Sequence, residues 1–234
     1  MKLSRLLCIA VVLLTASWSQ ADVIWVGGVS SDVFDEANWD LSGTAVTVID
    51  PNVSIADNIL IGPGPFTNDP IIPDVDAQQR IQLGDGFSFT LDAASITVAG
   101  NDGVGGEPDS ANGPTVNVTN GSQFNPFFVV NDVKVLIDGT SSATFGGGGN
   151  PINLSIVDMQ PGAVLAFLNE TPDAFIAEHL GKTFVNGAAA VDGVNISIAS
   201  DGAAGSVITA VPEPSSMALA LFGALGLLGL RRRQ

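Results

Sequence analysis

From residue 46 onward the chain breaks repeatedly into short β-branched runs separated by glycine turns. The spacing of those turns limits most strongly what it can fold into. Runs at 46–50, 59–61, 80–83, 87–92, 95–99, 115–119, 127–130, 133–138, 152–157, 163–168, 194–198 and 207–211 are strand-sized and alternate apolar with polar residues. Gly84-Asp85-Gly86, Asn101-Asp102-Gly103, Asn120-Gly121, Asp138-Gly139, Pro161-Gly162 and Asp201-Gly202 punctuate them. The glycines at 84, 103, 121, 139, 162 and 202 lie 19, 18, 18, 23 and 40 residues apart, the last about twice 20. Local wording repeats too: Val116-Asn-Val-Thr-Asn-Gly-Ser-Gln-Phe124 is followed by Val135-Leu-Ile-Asp-Gly-Thr-Ser-Ser-Ala143. A period near 20 residues suits one rung of a β-solenoid, whose rungs bury their apolar faces only by stacking. The expected class is all-β: a short parallel β-solenoid, with a β-sandwich of hairpins as the alternative, since Asn-Gly and Asp-Gly also close two-residue hairpins.

One helix interrupts this pattern. Thr171 is an N-cap, Pro172 fits the first helical position, residues 174–180 follow, and Gly181 closes the segment. It carries His179, the only histidine, expected as a packing or capping residue. The segment around it is expected to close one side or end of the β core. At the other end, Trp25-Val-Gly-Gly28, Phe34 and Ala37-Asn-Trp39-Asp40 stand together. This resembles the Trp-Gly-Gly…Asn-Trp opening of exported bacterial β-solenoid proteins of the passenger or adhesin kind. The rings are expected to cap the first rung against edge pairing rather than to stack on sugars.

The last two dozen residues form a separate unit. Val211-Pro212-Glu213-Pro214 is stiff and extended, because each proline fixes its own φ and restrains the residue before it. The apolar run 217–230 has 14 residues, about 21 Å as a helix against a hydrocarbon core of roughly 30 Å. Arg231, Arg232 and Arg233 would hold its end on the cytoplasmic side. This order of motif, short apolar helix and basic end resembles the PEP-CTERM sorting signal of Gram-negative bacteria. That segment is also catalogued as the C-terminal domain of certain ice-binding proteins. The resemblance covers residues 211–234 and implies recognition by an exosortase, a membrane-embedded cysteine protease or transpeptidase that would cut near Pro212–Pro214. It also implies export by a bacterium that makes an exopolysaccharide matrix. The N-terminus agrees with export. Lys2 and Arg5, an apolar stretch at 6–16, and small residues ahead of a cut between Ala21 and Asp22 make residues 1–21 a secretory signal peptide, a substrate for signal peptidase. The expected organisation is signal peptide 1–21, exported β-rich domain 22–210 and sorting signal 211–234, with transient insertion in the inner membrane.

Charge bounds what the body can do. Of 8 basic and 24 acidic residues, residues 22–210 hold three cations (Arg80, Lys134 and Lys182) and every acid but Glu213, about 20 net negative charges. No basic patch for nucleic acid can form. The single cysteine, Cys8, lies in the signal peptide, so no disulfide can staple the body. Neither Gly-x-Ser-x-Gly nor His-Glu-x-x-His occurs, and three scattered cations disfavour a lyase. Asp74-Val-Asp76 and the loop 101–113 with Asp102, Glu107 and Asp109 offer oxygens to calcium, yet match no calcium-loop pattern. Thus no cofactor, metal site or catalytic residue is expected, calcium being the one cation such loops would take. Ice binding would want a threonine ladder, and Thr-x-Thr does not occur. The expected function is an exported surface or extracellular-matrix structural or adhesion protein without catalytic activity. The alternative is a polysaccharide-binding or polysaccharide-active β-helix protein. Its partners would be signal peptidase, exosortase and exopolysaccharide, and its place the cell surface or extracellular space.

Overall fold

Strand after strand returns to the same three sheets in the same order. The computed structural model describes residues 21–74, 79–108 and 112–212. An opening partial turn has β1 (Val23–Trp25), β2 (Trp39–Asp40) and β3 (Ser54–Ile55). Then come β4 (Ile59–Ile61), β5 (Ile71–Ile72) and β6 (Arg80–Leu83), followed by β7 (Ser88–Asp92), β8 (Ser95–Val98) and β9 (Gly103–Gly106). The third turn is β10 (Thr115–Thr119), β11 (Gln123–Asn125) and β12 (Phe128–Val130), and the fourth is β13 (Lys134–Ile137), β14 (Ser142–Phe145) and β15 (Ile152–Asn153). The fifth begins with β16 (Ile156–Met159) and β17 (Val164–Phe167), then replaces its third strand with helix α1 (Pro172–Glu178) and a 3₁₀ turn (Leu180–Lys182). β18 (Thr183–Val185), β19 (Ala188–Ala189), β20 (Ile196–Ser200) and β21 (Ser206–Ala210) finish the domain. The first, second and third strands of successive turns pair in parallel, and with antiparallel strands added at the ends they form three sheets of nine, seven and five strands. This is a β-solenoid of about five turns, not a sandwich.

Inward residues stack from turn to turn. In the first sheet Ile59, Phe89, Val116, Val135, Val157 and Thr183 lie in register, and beside them Ile61, Leu91, Val118, Ile137, Met159 and Val185. All twelve are buried, and each large apolar one contributes about 1.5–3 kcal/mol relative to exposure. An aromatic column runs from the first sheet into the second. Phe89, Phe124, Phe145 and Phe167 follow one another with ring centroids 6.4, 6.5 and 5.4 Å apart. At the corner between these two sheets, buried Ser122 and Ser141 supply the polar partners that turn N–H groups need: Ala94 N–H donates to Ser122 Oγ and Ser122 N–H to Ser141 Oγ, both at 3.1 Å.

The rung length is less regular than the glycine spacing implies. Along the first sheet the steps are 30, 27, 19, 22 and 26 residues. The repeated wording from Val116 and from Val135 is a true rung of 19, with Phe124 in register with Ala143. The glycines are not one equivalent series. Gly103 lies in the third sheet, whereas Gly121 and Gly162 turn the corner between the first two at φ +80° and +99°. The 46–50 run is not a strand, although Ile49 is buried.

Both ends of the stack are closed. β2 runs antiparallel to β1, with Trp25 opposite Trp39. The two rings pack edge-on at 5.0 Å and are 1% and 6% exposed, so they cap the core as expected. Their N–H groups donate to Asn68 O at 3.2 Å and Val33 O at 2.7 Å. Asn38 organises this cap: its Oδ1 accepts from Val29 and Ser30 N–H, and its Nδ2 donates to Ser30 Oγ and Asp32 O. At the far end β19 and the β20–β21 hairpin cover parallel edges with antiparallel strands. Lys182 Nζ donates to Asn150 Oδ1 at 2.6 Å and to Ile152 O at 2.8 Å, occupying the edge of the last third-sheet strand.

Candidate functional site

A buried carboxylate and imidazole meet beside the helix that interrupts the fifth turn. Thr171 caps it as expected, its side chain accepting from Ala174 N–H. The α-helix ends at Glu178, two residues before the expected stop, with His179 as C-cap; Gly181 lies inside the 3₁₀ turn instead of closing the helix. Phe175 and His179, four residues apart, point the same way into the core. His179 lies flat on Phe167, with centroids 5.0 Å apart and planes 4° apart, so the imidazole is the last ring of the aromatic column. Its backbone is pinned by Phe175 O, which accepts from His179 N–H at 2.8 Å, and by Thr183 Oγ1, which donates to His179 O at 3.0 Å.

Glu170, immediately before the helix N-cap, meets this imidazole. Its Oε2 is 2.8 Å from His179 Nε2, and the two side chains are 3% and 0% exposed. That distance makes the two side chains each other's partner, while Glu170 Oε1 and His179 Nδ1 have none. Burial pushes the Glu170 carboxyl above its ordinary range and the charge of Glu178 adds to this, against His179 and Lys182. Glu178 is exposed and contributes a third donor, so that one ligand atom each from Glu170, Glu178 and His179 lies within 4.8 Å of the others. The expectation for His179, packing or capping, holds for its position; the carboxylates around it were not singled out from the sequence.

The other expected features are more dispersed. Asp102 is fully buried, accepts from Gln79 N–H at 2.6 Å and leaves Oδ2 without a partner. Burial and the nearby charge of Asp74 raise its pKa, outweighing the Gln79 bond. Asp76 and Asp109 lie outside the described residues, and Glu107 is only half-buried. A groove of about 270 Å³ over the first sheet brings together Asp138 and Asp158. Asp158 is held by Lys134 at 3.3 Å and by Gly187 N–H at 2.9 Å. For Asp138 burial would raise the pKa, but bonds from Asn120, Ser141 and Thr140 overcome it and leave the carboxyl below its ordinary range. A second groove of about 280 Å³ over the third sheet includes Arg80, whose guanidinium donates to Gln82 Oε1 at 3.1 Å.

At the domain's ends, Ala21 and Asp22 directly precede β1. Val211 follows β21 and donates its N–H to Asn195 O at 2.9 Å, so the chain leaves the fold at Pro212. Glu213, Pro214, the apolar run and Arg231, Arg232 and Arg233 lie outside the described residues. No helix among the described residues is long and apolar enough to cross a membrane. Residues 210–233 match the family model of the PEP-CTERM protein-sorting motif. This motif marks an exported protein with a C-terminal membrane-anchoring sorting signal and names exosortase as its processing partner. No curated protein and no solved structure matches the chain.

Proposed function

We propose that this chain is a structural solenoid without catalytic activity of its own, displayed on the cell surface or released into an extracellular matrix once exosortase has removed the tail. The observation that carries this reading is the position of the sorting motif. It begins at residue 210, the last residue of β21, and the fold's final backbone bond is made by Val211. A cut near Pro212–Pro214 therefore detaches the membrane segment and leaves every described strand in place. The buried tryptophans support a structural role, since rings that cap a core are not offered to sugars.

Intact producing cells treated with an external protease should lose the body, while a cytoplasmic marker survives. Purified protein incubated with a panel of polysaccharides should release no reducing sugar. Sugar release abolished by a single Asp→Asn change would make the protein an enzyme and overturn this reading; a body protected from the protease would overturn surface display.

A further inference from the structure

We propose that Glu170, Glu178 and His179 bind a divalent first-row transition metal, Zn²⁺ being the representative ion, and that this metal clamps helix α1 onto the end of the solenoid. A carboxylate and an imidazole are buried together, the imidazole flat on Phe167; they face each other at 2.8 Å, and Glu170 Oε1 and His179 Nδ1 have no partner at all. Buried polar groups without partners are costly, and a native core keeps them where something satisfies them. Glu178 stands beside them on the solvent side and brings a third donor atom within 4.8 Å.

The geometry is within reach of a single ion. Metal–ligand bonds of about 2.0–2.2 Å put donor atoms of one coordination shell roughly 3–4.3 Å apart. Glu170 Oε2 and His179 Nε2, 2.8 Å apart, would open slightly to share an ion, and the exposed Glu178 side chain would close in to complete the set. The donors are one imidazole nitrogen and two carboxylates. Zn²⁺ and its neighbours accept this mixture, whereas Ca²⁺ prefers six to eight oxygens. The site thus differs from the acidic loops in the kind of ion it selects. Its ligands also lie where a clamp has leverage. Glu170 precedes the helix and Glu178 and His179 end it, so one ion would tie both ends of α1 to the last ring of the aromatic column. In a body whose sequence has no cysteine, this is a staple of the kind that an exported protein otherwise draws from disulfides.

The test uses the full-length chain stripped with EDTA and titrated with Zn²⁺, Mn²⁺ and Ca²⁺ by calorimetry, with thermal melts alongside. One Zn²⁺ should bind per chain and raise Tm by about 5–10 °C at roughly a hundredfold excess over Kd. Co²⁺ bound in its place should show visible d–d bands. Glu178→Gln, which alters an exposed residue, should leave the metal-free Tm unchanged, weaken Zn²⁺ binding roughly tenfold or more, and abolish the Tm rise. Absence of stoichiometric Zn²⁺ binding, or Zn²⁺ binding that Glu178→Gln leaves intact, would overturn the proposal and make Glu170–His179 a bare buried pair.

Discussion

Replacing Phe145 by alanine tests the aromatic column at its centre. Phe145 is fully buried, in register with Phe167, and contacts Phe124 and Phe167 at centroid distances of 6.5 and 5.4 Å. Truncating a buried phenylalanine costs about 3–5 kcal/mol through lost transfer energy and the cavity left behind. Two ring pairs at about 0.5–1.5 kcal/mol each are broken as well, so the expected loss is about 4–8 kcal/mol. Phe145→Leu keeps most of the volume and gives up mainly the ring pairs, and should cost about 1–3 kcal/mol. Urea unfolding of the mature protein, followed by circular dichroism, reads both values. Fluorescence adds a spatial reading, because Trp25 and Trp39 report only the N-terminal cap. A solenoid couples mainly neighbouring rungs, so in Phe145→Ala the dichroism change should precede the fluorescence change. A loss below about 1 kcal/mol, or a leucine variant as damaged as the alanine one, would refute the column as a source of stability.

Three further outcomes follow from the same contacts. Asp138 has a folded pKa below its unfolded value, so its contribution is fully present above about pH 4 and is lost as pH falls through the folded value. The stability gap between wild type and Asp138→Asn in pH-dependent melts should be constant near neutrality and close in acid. Asp102 has the opposite sign: with its folded pKa raised, stability is present below the unfolded value and is lost as pH rises through the folded one. Asp102→Asn, which keeps an acceptor for Gln79 N–H, should therefore raise Tm at pH 7 and lose that advantage in acid. Asn38→Ala removes four hydrogen bonds from the N-terminal cap and should cost about 2–4 kcal/mol in urea melts, with a red shift of tryptophan emission as the rings gain water.

The stacked strands were legible because their information is local. Val116 to Phe124 and Val135 to Ala143 show the pattern of one true rung, and the structure places them in register. The tryptophan cap was legible for the same reason, since both rings lie within 15 residues of each other at the start of the domain. The length of the other rungs was not, because the insertions fall in loops such as 62–70 and the glycines at 84 and 103 do not share a corner with those at 121 and 162. The partnership of Glu170 with His179 was hidden for another reason. Nine residues separate them, and only the short helix, its cap and the ring of Phe167 bring them face to face. A glutamate just ahead of a Thr-Pro-Asp cap, with Glu-His at the helix end, was the available signal.

The claim that unites fold and tail is that one processing event frees an intact solenoid. Intact-mass spectrometry of the protein recovered outside producing cells, with and without a functional exosortase, tests it most directly. A single species is expected in the exosortase-positive strain, running from Asp22 to between Pro212 and Pro214, and none of it in the negative strain. An extracellular protein still carrying residues 231–234, or the same truncated species in both strains, would contradict it.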